Sequence, residues 1–390
     1  MRKIAALITA LILFLGTATA VHFAVAGSVD NEGVTFDTWI NPYKNKSYSA
    51  IKANITDKTV LYMGSSEFNH SKSKPAHPTN LFRKSNMEVM CIGTAFTQSL
   101  NLAITAGAVS KDMKNKKAVL LVSPSWFTKY GVKETPFAMR FSESQYEELM
   151  KNPAISKETK QQVSSRVNEL LAGQKDMLNQ VKTIDKIYLN GGSTFWERMS
   201  FNMRNLLTEE RDAVSVGSMW LNYKHTAKPD RQVKKKEPEK PDFAGMLREG
   251  EQDFIEKSTN NPFNMMDKSF NSRFRSRVVK AKGMYDRKSY RNSVEYGDLE
   301  LFLDICRQSK LQVMVVLLPI NGPWYDHTGF KPEKRQIVSE KVGEMTKKYK
   351  NVTYYDMFGK CYEKGFFEDN VHPSGKGWVV INEKVYEFFR

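Results

Sequence analysis

Two runs restrict the fold of this chain more than any other feature: Lys117-Ala118-Val119-Leu120-Leu121-Val122 and Gln312-Val313-Met314-Val315-Val316-Leu317-Leu318. Each is apolar at consecutive positions rather than at alternate ones, and each is too short for a buried helix. A strand covered on both faces reads in this way, and such strands belong to parallel sheets with helices on either side. Residues 59–63, 87–92 and 352–355 read as three further strands, and 98–109, 296–308 and 333–349 carry apolar residues at helical spacing. This β-α-β rhythm predicts an α/β fold with a three-layer parallel sheet. The rhythm breaks at 143–224, which is helical with polar faces rich in Lys, Glu and Gln. The stretch 228–241, with Lys234-Lys235-Lys236, then reads as a solvated loop. One domain over 57–390 is therefore expected, its two half-sheets flanking a helical insertion at about 143–295. A chain of 390 residues, 41% of them hydrophobic, can bury such a core.

One stretch suits lipid. Residues 4–26, preceded by Arg2 and Lys3, are interrupted only by threonines, Gly16 and His22. A helix of that length crosses a hydrocarbon core about 30 Å thick. The leading positive charges keep residues 1–3 in the cytoplasm and place everything after Gly27 outside. Ala18-Thr19-Ala20 also offers residues that a signal peptidase accepts, but the apolar run continues through Val21, Phe23, Ala24 and Val25, which favours a retained anchor. The expected localisation is the cell membrane, single-pass, with 27–56 as an extracellular stalk.

Cys91, Cys306 and Cys361 are far apart and lack zinc-ligand or CxxC spacing; Cys91 and Cys306 sit among apolar neighbours and read as buried structural thiols. No metal-ligand cluster, P-loop or dinucleotide fingerprint is present, so neither a metal nor another cofactor is implied. The formal charge of +16 invites a polyanionic partner. An exported chain rarely meets nucleic acid and no nucleic-acid signature is found, so membrane headgroups or an anionic cell-wall polymer fit better. Scattered lysines also serve solubility alone.

The chemistry-bearing residues lie at the two ends of the sheet. Gly64-Ser65-Ser66-Glu67-Phe68 follows the first strand, and Asp369-Asn370-Val371-His372 follows the last. Reactive groups of open parallel sheets collect beyond the carboxyl ends of the strands, so both can face one crevice. A serine hydroxyl becomes a nucleophile when a base takes its proton and a carboxylate orients that base, and Asp369 and His372 can supply both. A second reading is equally open on spacing: Ser65 or Ser66 caps the following helix with Glu67 alongside. His372 has its own plain alternative as a histidine held by Asp369.

Met63-Gly64-Ser65-Ser66-Glu67-Phe68, then His77-Pro78, then Leu317-Leu318-Pro319-Ile320-Asn321-Gly322-Pro323-Trp324-Tyr325-Asp326, and finally Asp369-Asn370-Val371-His372-Pro373-Ser374-Gly375-Lys376-Gly377-Trp378 occur in this order. Together they resemble the DltD family, the D-alanine transfer proteins of teichoic-acid D-alanylation, over essentially the whole chain. The resemblance implies an SGNH-hydrolase-type fold, with Ser66 as nucleophile, His372 as general base and Asp369 as its orienter. Ser66 rather than Ser65 aligns with the third position of the Gly-Asp-Ser triplet of SGNH enzymes. Gly93 falls where those enzymes place a glycine that, with the Ser66 backbone, binds the oxyanion. Their Gly-x-Asn-Asp element is missing here, where the strand runs into Ser123-Pro124-Ser125-Trp126-Phe127, and Asn321-Gly322 follows a later strand. Losing one oxyanion donor costs roughly 100-fold or more in rate, which suits transfer better than hydrolysis.

Ser65, His77, Trp126, Asn321 and Tyr325 are candidates to line a substrate pocket, with Asp326, His327, Phe127 and Trp378 nearby in sequence. The aromatic residues equally suit the core, and His77 a turn. The function implied is an extracytoplasmic O-acyltransferase that moves D-alanine to glycerol-phosphate hydroxyls of lipoteichoic acid. Its expected partners are that polymer, the membrane acyltransferase and the D-alanyl carrier protein. Two alternatives differ in class: a non-catalytic protein that recruits those partners, and a thioesterase that clears mischarged carrier protein in the cytoplasm.

Overall fold

The computed structural model describes residues 2–227 and 239–390, so most of the expected loop 228–241 lies outside the described residues. The first helix, α1 (Arg2–Ala24), buries none of its residues. At about 1.5 Å per residue it spans roughly 34 Å, and it is the one described helix long and apolar enough to cross a membrane.

Five strands follow: β1 (Val60–Met63), β2 (Val89–Ile92), β3 (Lys117–Val122), β4 (Gln312–Leu317) and β5 (Val352–Asp356). All pair in parallel, in the order β2-β1-β3-β4-β5. The observed ends lie within two residues of those expected; β1 to β4 are buried along almost their whole length and so read as apolar runs, whereas β5 is only partly covered. Leu61, Met90, Leu120 and Val315 face one core, and Tyr62, Cys91, Leu121 and Val316 face the other.

Helices cover both faces. On the first lie α3 (Ser99–Val109), α4 (Glu143–Lys151), α8 (Glu295–Gln308) and α9 (Pro332–Thr346). On the second lie α2 (Pro78–Lys84) and α10 (Gly375–Phe389), with α7 (Phe243–Lys257) against α10. Between β3 and β4 no described residue forms a strand. That segment supplies α4, α5 (Lys157–Leu170), α6 (Phe195–Thr226) and α7 among its helices. Gly107 in α3 lets two neighbours close in: a Cβ there would lie 2.6 Å from Leu149 of α4 and 3.3 Å from Ile305 of α8.

The stretch 27–56, expected as a stalk, folds onto the body instead. Phe36 and Trp39 pack against Trp220 of α6, with ring centroids 5.2 and 5.1 Å apart. Tyr48 and Ile51 enter the main core. Lys44 is wholly buried, its ammonium donating to the carbonyls of Phe36 (3.1 Å) and Asp37 (2.7 Å). Short helices with this many aromatic residues bury more apolar surface than a spacer could leave in water. The three cysteines are free and buried, as read for Cys91 and Cys306.

Leu120, fully buried at the centre of the sheet, tests this core. Leu120→Ala should lower unfolding stability by about 2–5 kcal/mol, read from a denaturant melt at unchanged slope.

Candidate active site

The order 2-1-3-4-5 reverses direction between β1 and β3, so a crevice opens beyond the carboxyl end of β1. The chain after β1 turns sharply there. Gly64 still donates its N–H to Ile92 O (3.0 Å), and Ser66–Asn69 forms a single 3-10 turn. The Glu67 carboxylate folds back to accept the Ser65 N–H at 2.6 Å. A Cβ on Gly64 would lie 2.4 Å from that carboxylate, and one on Gly93 would lie 2.1 Å from the Gly64 carbonyl oxygen. Gly93 also has φ +150°, so the ends of β1 and β2 approach this closely only with glycine at both places.

The two serines diverge. Ser65 is buried and its hydroxyl donates to Thr94 O at 3.3 Å. Ser66 Oγ lies 2.8 Å from His372 Nε2. Neither hydroxyl caps the turn, since Ser65 Oγ is spent on Thr94 O and Ser66 Oγ on His372.

The loop carrying His372 is closed on itself. Phe367 and Pro373 form an antiparallel bridge, Glu368 N donates to His372 O (2.9 Å) and Ser374 N to Phe366 O (2.9 Å). Inside it Asp369 Oδ1 accepts the N–H groups of Val371 and His372, each at 2.9 Å. That turn explains the three-residue spacing: it swings the His372 ring over its own carboxylate, with Nδ1 2.9 Å from Oδ2. Burial pushes the Asp369 carboxyl up, but the bond and charge of His372 and the two backbone donors outweigh it and hold the pKa well below the ordinary range. An ionised Asp369 accepts only, so Nδ1 carries the proton and Nε2 is left to accept from Ser66.

Three more groups complete the arrangement. Arg273 donates to Asp369 Oδ2 at 2.9 Å. His70 stacks flat on His372, centroids 3.7 Å apart at 7°, and Glu368 accepts from His70 Nδ1 (2.8 Å) and Ser71 Oγ (2.7 Å). Burial raises the Glu368 carboxyl, but these two bonds prevail and lower its pKa. His70, Asp369 and His372 bring possible ligand atoms within 4.8 Å of one another, but Asp369 and both nitrogens of His372 are engaged in the bonds above.

Comparisons with known proteins establish the family. A family model described as DltD protein matches residues 37–390. The chain belongs to the DltD family. "Protein DltD" of Bacillus subtilis (strain 168) is 28% identical over 392 residues, covering 98% of this chain and 96% of its own length. "Protein DltD" of Staphylococcus aureus (strain NCTC 8325 / PS 47) is 27% identical, covering 85% of this chain and 81% of its own length. The sequence motifs pointed to the same family.

For this DltD-family chain the geometry joins Ser66, His372 and Asp369, whereas most expected pocket residues prove to be supports. His77 is fully buried; its Nε2–H donates to Phe68 O (3.1 Å) and Nδ1 accepts Thr79 N–H (3.2 Å), so it braces the Ser66 turn rather than lining a cavity. Trp126 and Phe127 lie in the core. Trp378 is buried on the other face, donating to His70 O at 3.2 Å. Asn321 is buried, accepts Trp324 N–H (2.9 Å) and donates from its backbone to Asn370 O (3.0 Å), tying the loop after β4 to the His372 loop. The Tyr325 hydroxyl accepts weakly from Asn370 Nδ2 at 3.4 Å. Asp326 pairs with buried Arg335 (3.0 Å), and His327 Nε2 donates to Val278 O (2.8 Å). Sequence reasoning missed His70, Glu368 and Arg273. His70 and Glu368 adjoin the two motifs and were open to notice, but nothing local ties Arg273 to Asp369.

Burial pushes the His77 imidazole down to about 3 from an ordinary 6.5. Between those values the unfolded chain binds a proton that the folded chain refuses. Stability is thus complete above about pH 6.5 and falls below it, by up to about 1.4 kcal/mol per pH unit. His77→Gln should unfold more easily than the parent at neutral pH, and its urea midpoint should vary less between about pH 6.5 and pH 4.5.

Proposed function

We propose that the chain is an SGNH-type O-acyltransferase acting outside the membrane, which transfers D-alanine to glycerol-phosphate hydroxyls of lipoteichoic acid. The observation that carries this reading is the hydrogen-bonded series Ser66 Oγ, His372 Nε2, His372 Nδ1, Asp369, with Ser65 diverted to Thr94. Strand order, a serine turn after β1, a glycine after β2 and a histidine loop ahead of the last helix support the fold type.

In the proposed reaction Ser66 Oγ attacks the carbonyl of an activated D-alanyl donor while His372 Nε2 takes its proton. The N–H groups of Ser66 and Gly93 face the developing oxyanion. The Thr94 hydroxyl, buried without a partner beside Gly93, is a further donor at hand. His372 returns the proton to the leaving group, and the alanyl ester rests on Ser66. An acceptor hydroxyl then attacks this ester, losing its proton to His372, which passes it to Ser66 Oγ as the ester bond breaks. Ionised Asp369, braced by Arg273, steadies the imidazolium in both halves.

An anionic acceptor suits the surroundings. A cavity of about 470 Å³ beside the His372 loop is lined by Arg273, Arg277, Lys280, Tyr285, Trp324 and Asn370 among others, and by no carboxylate. Arg273 also borders a second cleft of about 850 Å³ of mixed charge, where Lys72, Lys74, Lys257 and Lys268 stand beside Asp253, Glu256, Asp267 and Glu368. The D-alanyl carrier protein and the membrane acyltransferase are the proposed partners.

In cells whose own copy is replaced by Ser66→Ala, with protein level and membrane insertion unchanged, the polymer's D-alanine ester content should drop to that of a strain lacking the protein. Ser65→Ala should lose less than about 10-fold, since a single neutral hydrogen bond is worth about 1 kcal/mol. Unchanged ester content with Ser66→Ala would remove the proposal.

A further inference from the structure

Helix α6 carries a feature that the acyl-transfer reading does not use. Phe195, Trp196, Met199, Met203, Leu206 and Leu207 are 72, 70, 48, 61, 63 and 64% exposed. At about 100° per residue they fall within one arc roughly 120° wide, the width of an apolar face that normally meets a core. The helix meets its core elsewhere: Phe201 packs on Tyr188 and Asn205 bonds Glu147, both on the opposite side.

The position of α1 gives this stripe its meaning. His22 Nδ1 lies 2.8 Å from Glu210 of α6. Gly217 of α6 lies under the chain just after α1, where a Cβ would be 1.9 Å from Val25 O. Glu210 and Gly217 fall in the same arc as the stripe. The side of α6 that receives the end of the membrane anchor is therefore the side that presents the apolar residues. Those residues run on for about 22 Å beyond Glu210. Exposed Arg198, Arg204 and Arg211 flank the arc. An apolar stripe with an aromatic start and arginines beside it is the pattern of a helix lying in a membrane interface.

We propose that the first half of α6 lies in the outer membrane–water interface, with Phe195, Trp196, Met199, Met203, Leu206 and Leu207 in the edge of the acyl region. The domain is then held at two places, the spanning helix and this stripe, and its tilt on the bilayer is fixed. The occupant of the stripe is lipid, because the face is continuous with the anchor's exit point.

The full-length protein in phosphatidylcholine nanodiscs supplies the test. The native cysteines are buried, so single labels with an environment-sensitive fluorophore can be placed at Met203→Cys, Ile12→Cys in α1, and exposed Gln161→Cys in α5 as the aqueous reference. The label at 203 should emit blue-shifted from that at 161, be quenched by lipid brominated on its acyl chains, and resist iodide, as should the label at 12. Iodide quenching at 203 equal to that at 161 would overturn the proposal. So would shielding from iodide without quenching by brominated lipid, which would mean that protein, such as a second copy, covers the stripe. The label at 12 reports separately whether the anchor itself lies in the bilayer.

Discussion

The pairing of β3 with β4 holds the molecule together. Six consecutive registers, from Lys117 with Gln312 to Val122 with Leu317, join parts of the chain separated by all of 123–311. Without that ladder, the serine turn after β1 and the histidine loop after β5 would belong to two half-sheets with no common edge. With it, their strands end on one side of one sheet and the two loops meet at hydrogen-bond distance. The cost of closing so long a loop grows only slowly with its length, and strands buried on both faces offset it with continuous apolar contact. The same continuity made the strands legible in sequence.

What the sequence left hidden was through-space pairing. Ser65 and Ser66 carry the same side chain at adjacent positions, and only the fold shows one hydroxyl bound to Thr94 O and the other to His372. The three-residue step from Asp369 to His372 was visible; the backbone donors that make it a rigid turn were not. His77, Asn321 and Tyr325 were noticed as polar or aromatic groups in recognised motifs. Their importance is nonetheless structural, because each spends its polar atoms in fixing the two loops. Arg273 lies nearly a hundred residues before Asp369 in a stretch without a motif, yet its guanidinium completes the Asp369 environment. The segment 27–56 was misread because short helices without a long periodic pattern resemble a linker until Trp220, far along the chain, supplies the surface they cover.

Charge and apolar surface are sorted about this centre. Asp369 is kept ionised by His372 and backbone donors, so the imidazole next to Ser66 holds the tautomer that accepts a proton. Arg273, Arg277 and Lys280 line a cavity without carboxylates beside it, while the apolar stripe of α6 shares its face with the end of α1. The proposed lipid contact and the proposed polyanion contact thus use different residues of one body.

The central claim is that His372 activates Ser66. The most direct measurement is reaction of the full-length protein with a fluorophosphonate probe, followed by peptide mapping of the adduct. The account predicts an adduct on Ser66 and none on Ser65, with the rate falling to background in His372→Ala. A folded protein that gives no Ser66 adduct, or gives it equally fast without His372, would contradict it.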